Sequence, residues 1–351
     1  MKTKHTRASG VAAACLAACA ACQAQTNATA SADLNRFGLS YRMGFNIKAS
    51  FKNLGGFPAQ TAPGPASGNA DRVYDDGYNR VDSSGNAGGR TWFWGYTGSS
   101  LAGHPQVPGN DTMVMHSSSS PASGTSDNVS SDPQHGFELT YNTPLGHIKK
   151  ASWGLWSAFN YTAIRITDNS SMNAPVTLLS DAYGLAGITP PLPPYSGSQA
   201  GPGPLLGASP ARGSEPIPNG ASIFGQRSLE GNLYGIKIGP YLNVPLGSKV
   251  VLSLNGGLAA AFLENDFRFN ETVSIEGVGT VSHSGAFGAN GWLIGGFVGT
   301  QVRFHISHSV DLFGGAEYQN LGCFSQQTAE KEARLNLADT LFVNFGLGYS
   351  F

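Results

Sequence analysis

The chain has 351 residues, only 12% of them charged, with 22 acidic and 21 basic side chains and a formal net charge of −1. That balance supplies no basic patch or stripe, so it gives no electrostatic case for nucleic acid, and the length allows one large domain or two small ones. The 47 glycines, with many Ser, Asn and aromatic residues, suit strands that turn one face to lipid and the other to a crowded interior.

The N-terminus reads as an export signal. Lys2, Lys4 and Arg7 precede an apolar run from Gly10 to Ala21 that is too short to cross a bilayer. Ordinary cleavage after Ala24 is expected, since Cys22 and Ala24 supply the small residues it needs. Leu16-Ala17-Ala18-Cys19 offers a competing, lipobox-like site that would leave Cys19 lipidated. Residues 1–24 are thus read as signal peptide and 25–35 as a short periplasmic segment. Cleavage after Ala24 leaves Cys323 alone, so no internal disulfide is expected. No later segment reaches 18 consecutive apolar residues, which excludes spanning helices and leaves a closed barrel as the way to span lipid.

From Arg36 to Phe51 the odd positions are apolar (Phe37, Leu39, Tyr41, Met43, Phe45, Ile47, Ala49, Phe51), without a break over 16 residues. A period of two marks a strand with one oily and one wet face. The pattern recurs in Gly136 to Thr143, Trp153 to Tyr161, Tyr234 to Leu242, Val250 to Leu258, Trp292 to Phe304 and Val310 to Tyr318. It ends in Leu341 to Phe351, where Phe345, Leu347, Tyr349 and Phe351 alternate with Gly346, Gly348 and Ser350.

Three short connections are read as turns: Tyr141 to Gly146, Tyr241 to Gly247, and His305 to Ser309. The first two share Pro-Leu-Gly, in which Pro withholds a ladder donor and Gly permits positive φ. Outer-membrane barrels keep periplasmic turns short and extracellular loops long. The connections Lys52 to Gln134, Thr167 to Gln226, Glu264 to Phe287 and Phe324 to Arg334 are therefore placed outside. The fold class expected is all-β, a closed antiparallel transmembrane β-barrel over residues 36–351. It has eight strands, or ten if Trp92 to Tyr96 and Thr112 to His116 also span. The second loop holds half of the 20 prolines and should be irregular or extended.

Where the alternation, the Pro-Leu-Gly turns and the terminal Phe351 meet, the chain resembles the small bacterial outer-membrane β-barrels of the OmpA transmembrane-domain, OmpX and OmpW type. The likeness covers Arg36 to Phe351 and departs from the smallest members in its much longer loops. It implies residence in the cell outer membrane among outer-membrane lipids. It also implies that Phe345, Leu347, Tyr349 and Phe351 form the signal read by the barrel-assembly machinery. No peptidoglycan-binding domain follows the barrel, so cell-wall anchoring is not implied.

On the assigned faces the inward charges are Arg42, Lys48, Glu138, Lys237, Arg303, Asp311 and Glu317. An eight-stranded interior is wide enough only for side chains to fill it, and unpaired charge there is costly. These residues are read as a plug, with Arg42–Glu138 and Arg303–Asp311 on neighbouring strands; a selective pore is the alternative. His305 and His308 are read as polar turn residues, because their spacing there lacks the helical face that a zinc pair uses. His135, His147 and His283 are scattered. His116 beside Ser117 to Ser120 could mimic a lipid hydrolase, but the serine run reads as a loop. The acidic stretch from Asp71 to Gly89 (Asp75, Asp76, Asp82, Asn86) makes calcium conceivable but fails the EF-hand pattern, with Phe93 where its closing Glu belongs. Trp92, Trp94, Tyr96, Tyr74 and Tyr78 could form a sugar-stacking surface or pack a loop base. The expectation is a monomeric, non-enzymatic protein without cofactor or metal, in a structural or surface-interaction role. A small-solute channel comes second and a lipid-modifying enzyme third.

Overall fold

The computed structural model describes residues 34–81, 88–98, 105–109, 111–201, 203–328 and 330–351. The export signal with Cys15, Cys19 and Cys22, and also Asp82 and Asn86, lie outside the described residues. All regular elements among the described residues are strands, and none is a helix long and apolar enough to cross a membrane.

Eight strands make a ring: β1 (Arg36–Phe45), β2 (Gln134–Ile148), β3 (Ala151–Asp168), β4 (Ala211–Pro245), β5 (Val250–Ile275), β6 (Gly279–His305), β7 (Val310–Asn320) and β8 (Thr340–Ser350). Each pairs antiparallel with its successor, and β8 pairs back onto β1 from Arg36↔Ser350 to Phe45↔Leu341. All eight segments read as strands from the sequence take places in this ring. Trp94–Tyr96 and Thr112–Ser119 stay out of it.

The ring inverts the usual partition of side chains. Phe37, Leu39, Tyr41, Leu139, Leu155, Ile236, Leu258, Ile294, Val302, Leu312 and Leu347 stand on its outer surface and are exposed, whereas Arg42, Glu138, Lys237 and Glu317 are buried inside. Six aromatic residues face one another in unbroken cross-strand register: Tyr41↔Phe137, Phe137↔Tyr161, Tyr161↔Tyr234, Tyr234↔Phe262 and Phe262↔Trp292. Ring centroids 5.4 to 5.6 Å apart at three of these contacts make the row a packed band. Beyond it the outer face turns polar, with His135, Asn232, Glu264 and Asn290 next along β2, β4, β5 and β6.

Two local readings need correction. The alternation from Arg36 to Phe51 is not one strand, because Asn46 adopts φ 62°, a left-handed conformation that short polar side chains tolerate. Its N–H donates to Asp132 Oδ2 (2.6 Å) and its side chain to the Asp339 carbonyl (2.7 Å). The kink exchanges faces, so Ile47, Ala49 and Phe51 are fully buried although Phe37, Leu39 and Tyr41 are exposed. The first Pro-Leu-Gly is likewise not a turn. β2 runs on to Ile148, its register slips between Trp153 and Gly154 opposite Pro144 and Gly146, and Lys149 (φ 58°) leads the turn instead. A bulge is a place where Pro, lacking an N–H, is tolerated.

The stretches read as long loops fold into a headpiece. β5 and β6 run for 26 and 27 residues, far more than the 9–11 or so that a tilted crossing requires. They join at residues 276–278, so most of the loop expected from Glu264 to Phe287 is ladder. The first half of β4 pairs with Met172–Gly184, which pairs with Thr112–Ser119. A second sheet, in the order Cys323–Gln327, Glu332–Asn336, Lys48–Leu54, Gly124–Val129, covers the inner face of this extension. Phe51 stacks on Phe267 at 5.2 Å, and Leu54, Leu263, Leu293, Leu335 and Leu337 pack around them. A smaller aromatic core of Tyr74, Trp94, Tyr96, Tyr183 and Leu206 holds the outermost strands together.

Candidate functional site

Alternation sends one residue in two into the ring, and four ionisable side chains meet there. Lys237 Nζ donates to Glu138 Oε2 (2.6 Å) and to both oxygens of Glu317 (2.6 and 2.5 Å). Arg42 lies 3.5 Å from Glu138 and 3.1 Å from Glu317, and donates to Gln319 Oε1 at 2.7 Å. Aromatic faces complete the packing: the Arg42 guanidinium sits 3.4 Å from the Phe342 ring centroid, and Lys237 Nζ lies 5.0 and 5.2 Å from those of Trp156 and Phe297. Two cations and two anions at 4% exposure or less cancel, which is the condition for tolerating charge away from water. Glycine makes the room. A Cβ on Gly44 would lie 2.7 Å from the Phe342 ring, and one on Gly348 would lie 2.2 Å from Arg36 Nη2.

The second group lies at the end of the ring that carries the short turns. Asp311 pairs with Arg36 (Nε–Oδ2 3.0 Å) and with His305 Nδ1. Arg303 is buried close by, but the register sets it opposite Phe313 and gives His305 to Asp311. The expected Arg303–Asp311 pair is therefore replaced by Arg36–Asp311. Lys48 does not enter the lumen: beyond the Asn46 kink it lies between the buried Ile47 and Ala49 and faces away from them. Phe345, Leu347, Tyr349 and Phe351 all face outward at 50 to 56% exposure, with Phe351 stacked on Phe37 at 5.6 Å.

A third buried group, outside the expected set, lies in the headpiece. Arg227 holds Asp168 (3.0 Å) and Glu271 (3.6 Å), Lys331 holds Glu271 (2.9 Å), and Ser126 donates to Asp168 at 2.6 Å. It ties the covering sheet to β4 and β5, again with charge balanced. Arg36 was visible in the same alternation as Arg42. Arg227, Glu271 and Lys331 fall at or inside segments read as loops; following the period of two past the apolar band would have found Arg227 and Glu271, whereas Lys331 lies in the turn before Glu332–Asn336.

The remaining candidates have structural partners. The edge strand Thr112–Ser119 is capped along its free side. Val114 N–H donates to Gln106 O (2.7 Å), His116 N–H to Asp76 Oδ1 (2.8 Å), Ser118 N–H to Asp75 Oδ2 (2.7 Å) and Ser120 N–H to Phe57 O (2.8 Å). Asp76 also bonds His116 Nδ1 at 2.7 Å. That bond raises the pKa of His116, with the charges of Asp76, Asp75 and Glu215 adding and burial opposing. Asp75 and Asp76 are thus occupied as edge caps. His135 bonds Tyr41 (2.6 Å) and His283 the Gly56 carbonyl (2.7 Å). Trp94, Tyr96 and Tyr74 belong to the loop core, and Tyr74 donates to Asp181 (2.5 Å), which Arg212 clamps from the other side at 2.6 and 2.7 Å. On the outer wall, just past the aromatic row, a cavity of about 690 Å³ is lined by His135, Arg165, Glu230, Asn232, Glu264 and Asp266.

No family model matches the sequence, and no curated protein matches it. Solved structures give slight overlaps. The attachment invasion locus protein Ail of Yersinia pestis is 8% identical with a TM-score of 0.27, over 91% of this chain and 99% of that one. The outer-membrane protease OmpT of Escherichia coli is 7% identical with a TM-score of 0.32, over 93% and 99%. The outer-membrane protein OprG of Pseudomonas aeruginosa is 10% identical with a TM-score of 0.23, over 90% and 96%. Similarities this slight assign the chain to no family.

Proposed function

We propose that the chain is an outer-membrane β-barrel whose eight ring strands span the membrane, with a plugged lumen and a folded extracellular headpiece, in a structural or surface-interaction role. The observation that carries this reading is the inverted partition: apolar side chains cover the outside of the ring while Arg42, Glu138, Lys237 and Glu317 neutralise one another inside. In water that arrangement would expose apolar surface around the whole ring; in hydrocarbon it satisfies every strand by closure. The aromatic row then sits at the interface where amphipathic rings concentrate, and the polar cavity above it lies at headgroup level. Leu34 and the short turns face the periplasm. Phe345, Leu347, Tyr349 and Phe351 serve the assembly machinery.

The plug argues against the channel reading, because the quartet and the apolar seal of Phe51, Leu263, Leu293 and Leu335 block the axis in series. Purified protein in planar bilayers should give no stable unitary conductance; steady ion-selective steps would replace the structural role by transport. An enzyme is not proposed, since the His116–Asp76 pair is bound into an edge cap. Turnover of phospholipid or lipid A that disappears in His116→Ala would reverse that view.

A further inference from the structure

The headpiece sheet has two edges, and they are treated differently. Thr112–Ser119 has all four outward donors from residues 114 to 120 capped. The opposite edge is the outer part of β6. Its last rung with β7 is Gly296↔Asn320, and among the described residues no strand pairs with β6 beyond that rung except β5. His305 donates its N–H to Lys249 on the β5 side and Ile306 donates to Val310 on the β7 side. The β5–β6 register then runs without a slip from Val250↔Phe304 to Ile275↔Gly279. Even-numbered residues therefore aim N–H and C=O away from β5, so Thr280, Ser282, Ser284, Ala286, Gly288 and Asn290 form a free ladder. Residues 279–290 contain no Lys, Arg, Asp, Glu or Pro and no bulge, so none of the usual guards of an edge strand is present. At about 3.3 Å per residue the ladder from Thr280 to Asn290 is roughly 33 Å long.

We propose that this edge binds an extended segment of a different polypeptide by adding it as a further β-strand. The inference rests on the extracellular placement proposed above. Unmet N–H and C=O groups at alternate residues match another strand's backbone, and the small outward residues leave room for its approach. A second copy in the same membrane does not fit. Its β6 would point the same way, and a two-fold axis along the membrane normal would set each residue level with itself. A parallel ladder instead requires its slanted bonds to reach residues one step above and below.

The test uses the full chain in lipid nanodiscs and a fluorescein-labelled dodecapeptide of alternating Thr and Val. Saturable binding is expected. It should weaken at least tenfold when alternate peptide residues are N-methylated, and equally in Ala286→Pro, which removes one outward donor and leaves the β5 rungs intact. Ala286→Val should bind like the parent. No binding, or equal binding by parent and Ala286→Pro, overturns the proposal. Dimerisation of the parent that Ala286→Pro abolishes overturns the choice of partner. Retained heat-modifiability in the variants shows that the barrel stands, so that failure at the edge is separable from failure of the barrel reading.

Discussion

Lys237 touches both carboxylates of the lumen quartet, and each of its hydrogen bonds to them is 2.6 Å or shorter. Removing its charge leaves Glu138 and Glu317 facing a single guanidinium, and breaking a buried pair costs about 3–5 kcal/mol. Lys237→Met should therefore lower the urea midpoint for loss of heat-modifiable mobility. The double variant Lys237→Met/Glu317→Gln should recover most of the loss; an unchanged midpoint in the single variant would show that the quartet is not an interdependent unit. His116 makes the opposite kind of prediction, in water. Its folded pKa is raised by Asp76 above the ordinary imidazole value of 6.5, so the protonated imidazole binds more tightly in the folded headpiece. That stability is complete below pH 6.5 and fades as pH rises through the raised value. The hydrogen-exchange protection factors of the 112–119 amides, corrected for the intrinsic base-catalysed rate, should fall over that interval in the parent, and in His116→Gln they should stay constant across it.

At the level of elements, the period of two located all eight ring strands, because an apolar exterior and a packed polar lumen impose alternation at every step. It failed where the environment changed while the period did not. Past Phe262 and Trp292 the outer face turns polar and the inner face meets the covering sheet, so apolar residues move inside (Phe267, Val273, Ile275). Polar outward positions such as Glu264 and Asp266 then resemble loop residues. At Asn46 the alternation stays regular in sequence while a single φ of 62° exchanges the faces, which misplaced Lys48. The ion pairs were only partly legible for a related reason: alternation gives the face, but the register decides that Asp311 meets His305 and Arg36. Because the kink depends on a left-handed residue, Asn46→Val should cost about 1–2 kcal/mol, with further loss from the bond to Asp339. Asn46→Gly should keep the backbone and lose chiefly that bond. Chemical denaturation of the two variants side by side would separate these effects, and equal stability would mean that the kink is imposed from elsewhere.

For the whole molecule, the apolar outer band, the aromatic row and the unequal ends of the ring together define an orientation. One end has connections of two to four residues, such as the turn at Lys149 and Lys150 between β2 and β3. The other carries the headpiece, which includes the free part of β6. If the band lies in the outer membrane, a cysteine replacing Lys150 faces the periplasm and one replacing Ser284 faces the medium. In a Cys323→Ser background, a membrane-impermeant maleimide should label Ser284→Cys on intact cells. Lys150→Cys should be labelled only after the outer membrane is permeabilised. The reverse pattern would turn the molecule over, and equal labelling of both in intact cells would remove it from the membrane altogether. Because both positions are exposed turn or edge sites away from the quartet, neither substitution disturbs what holds the ring closed, and the labelling reads orientation alone.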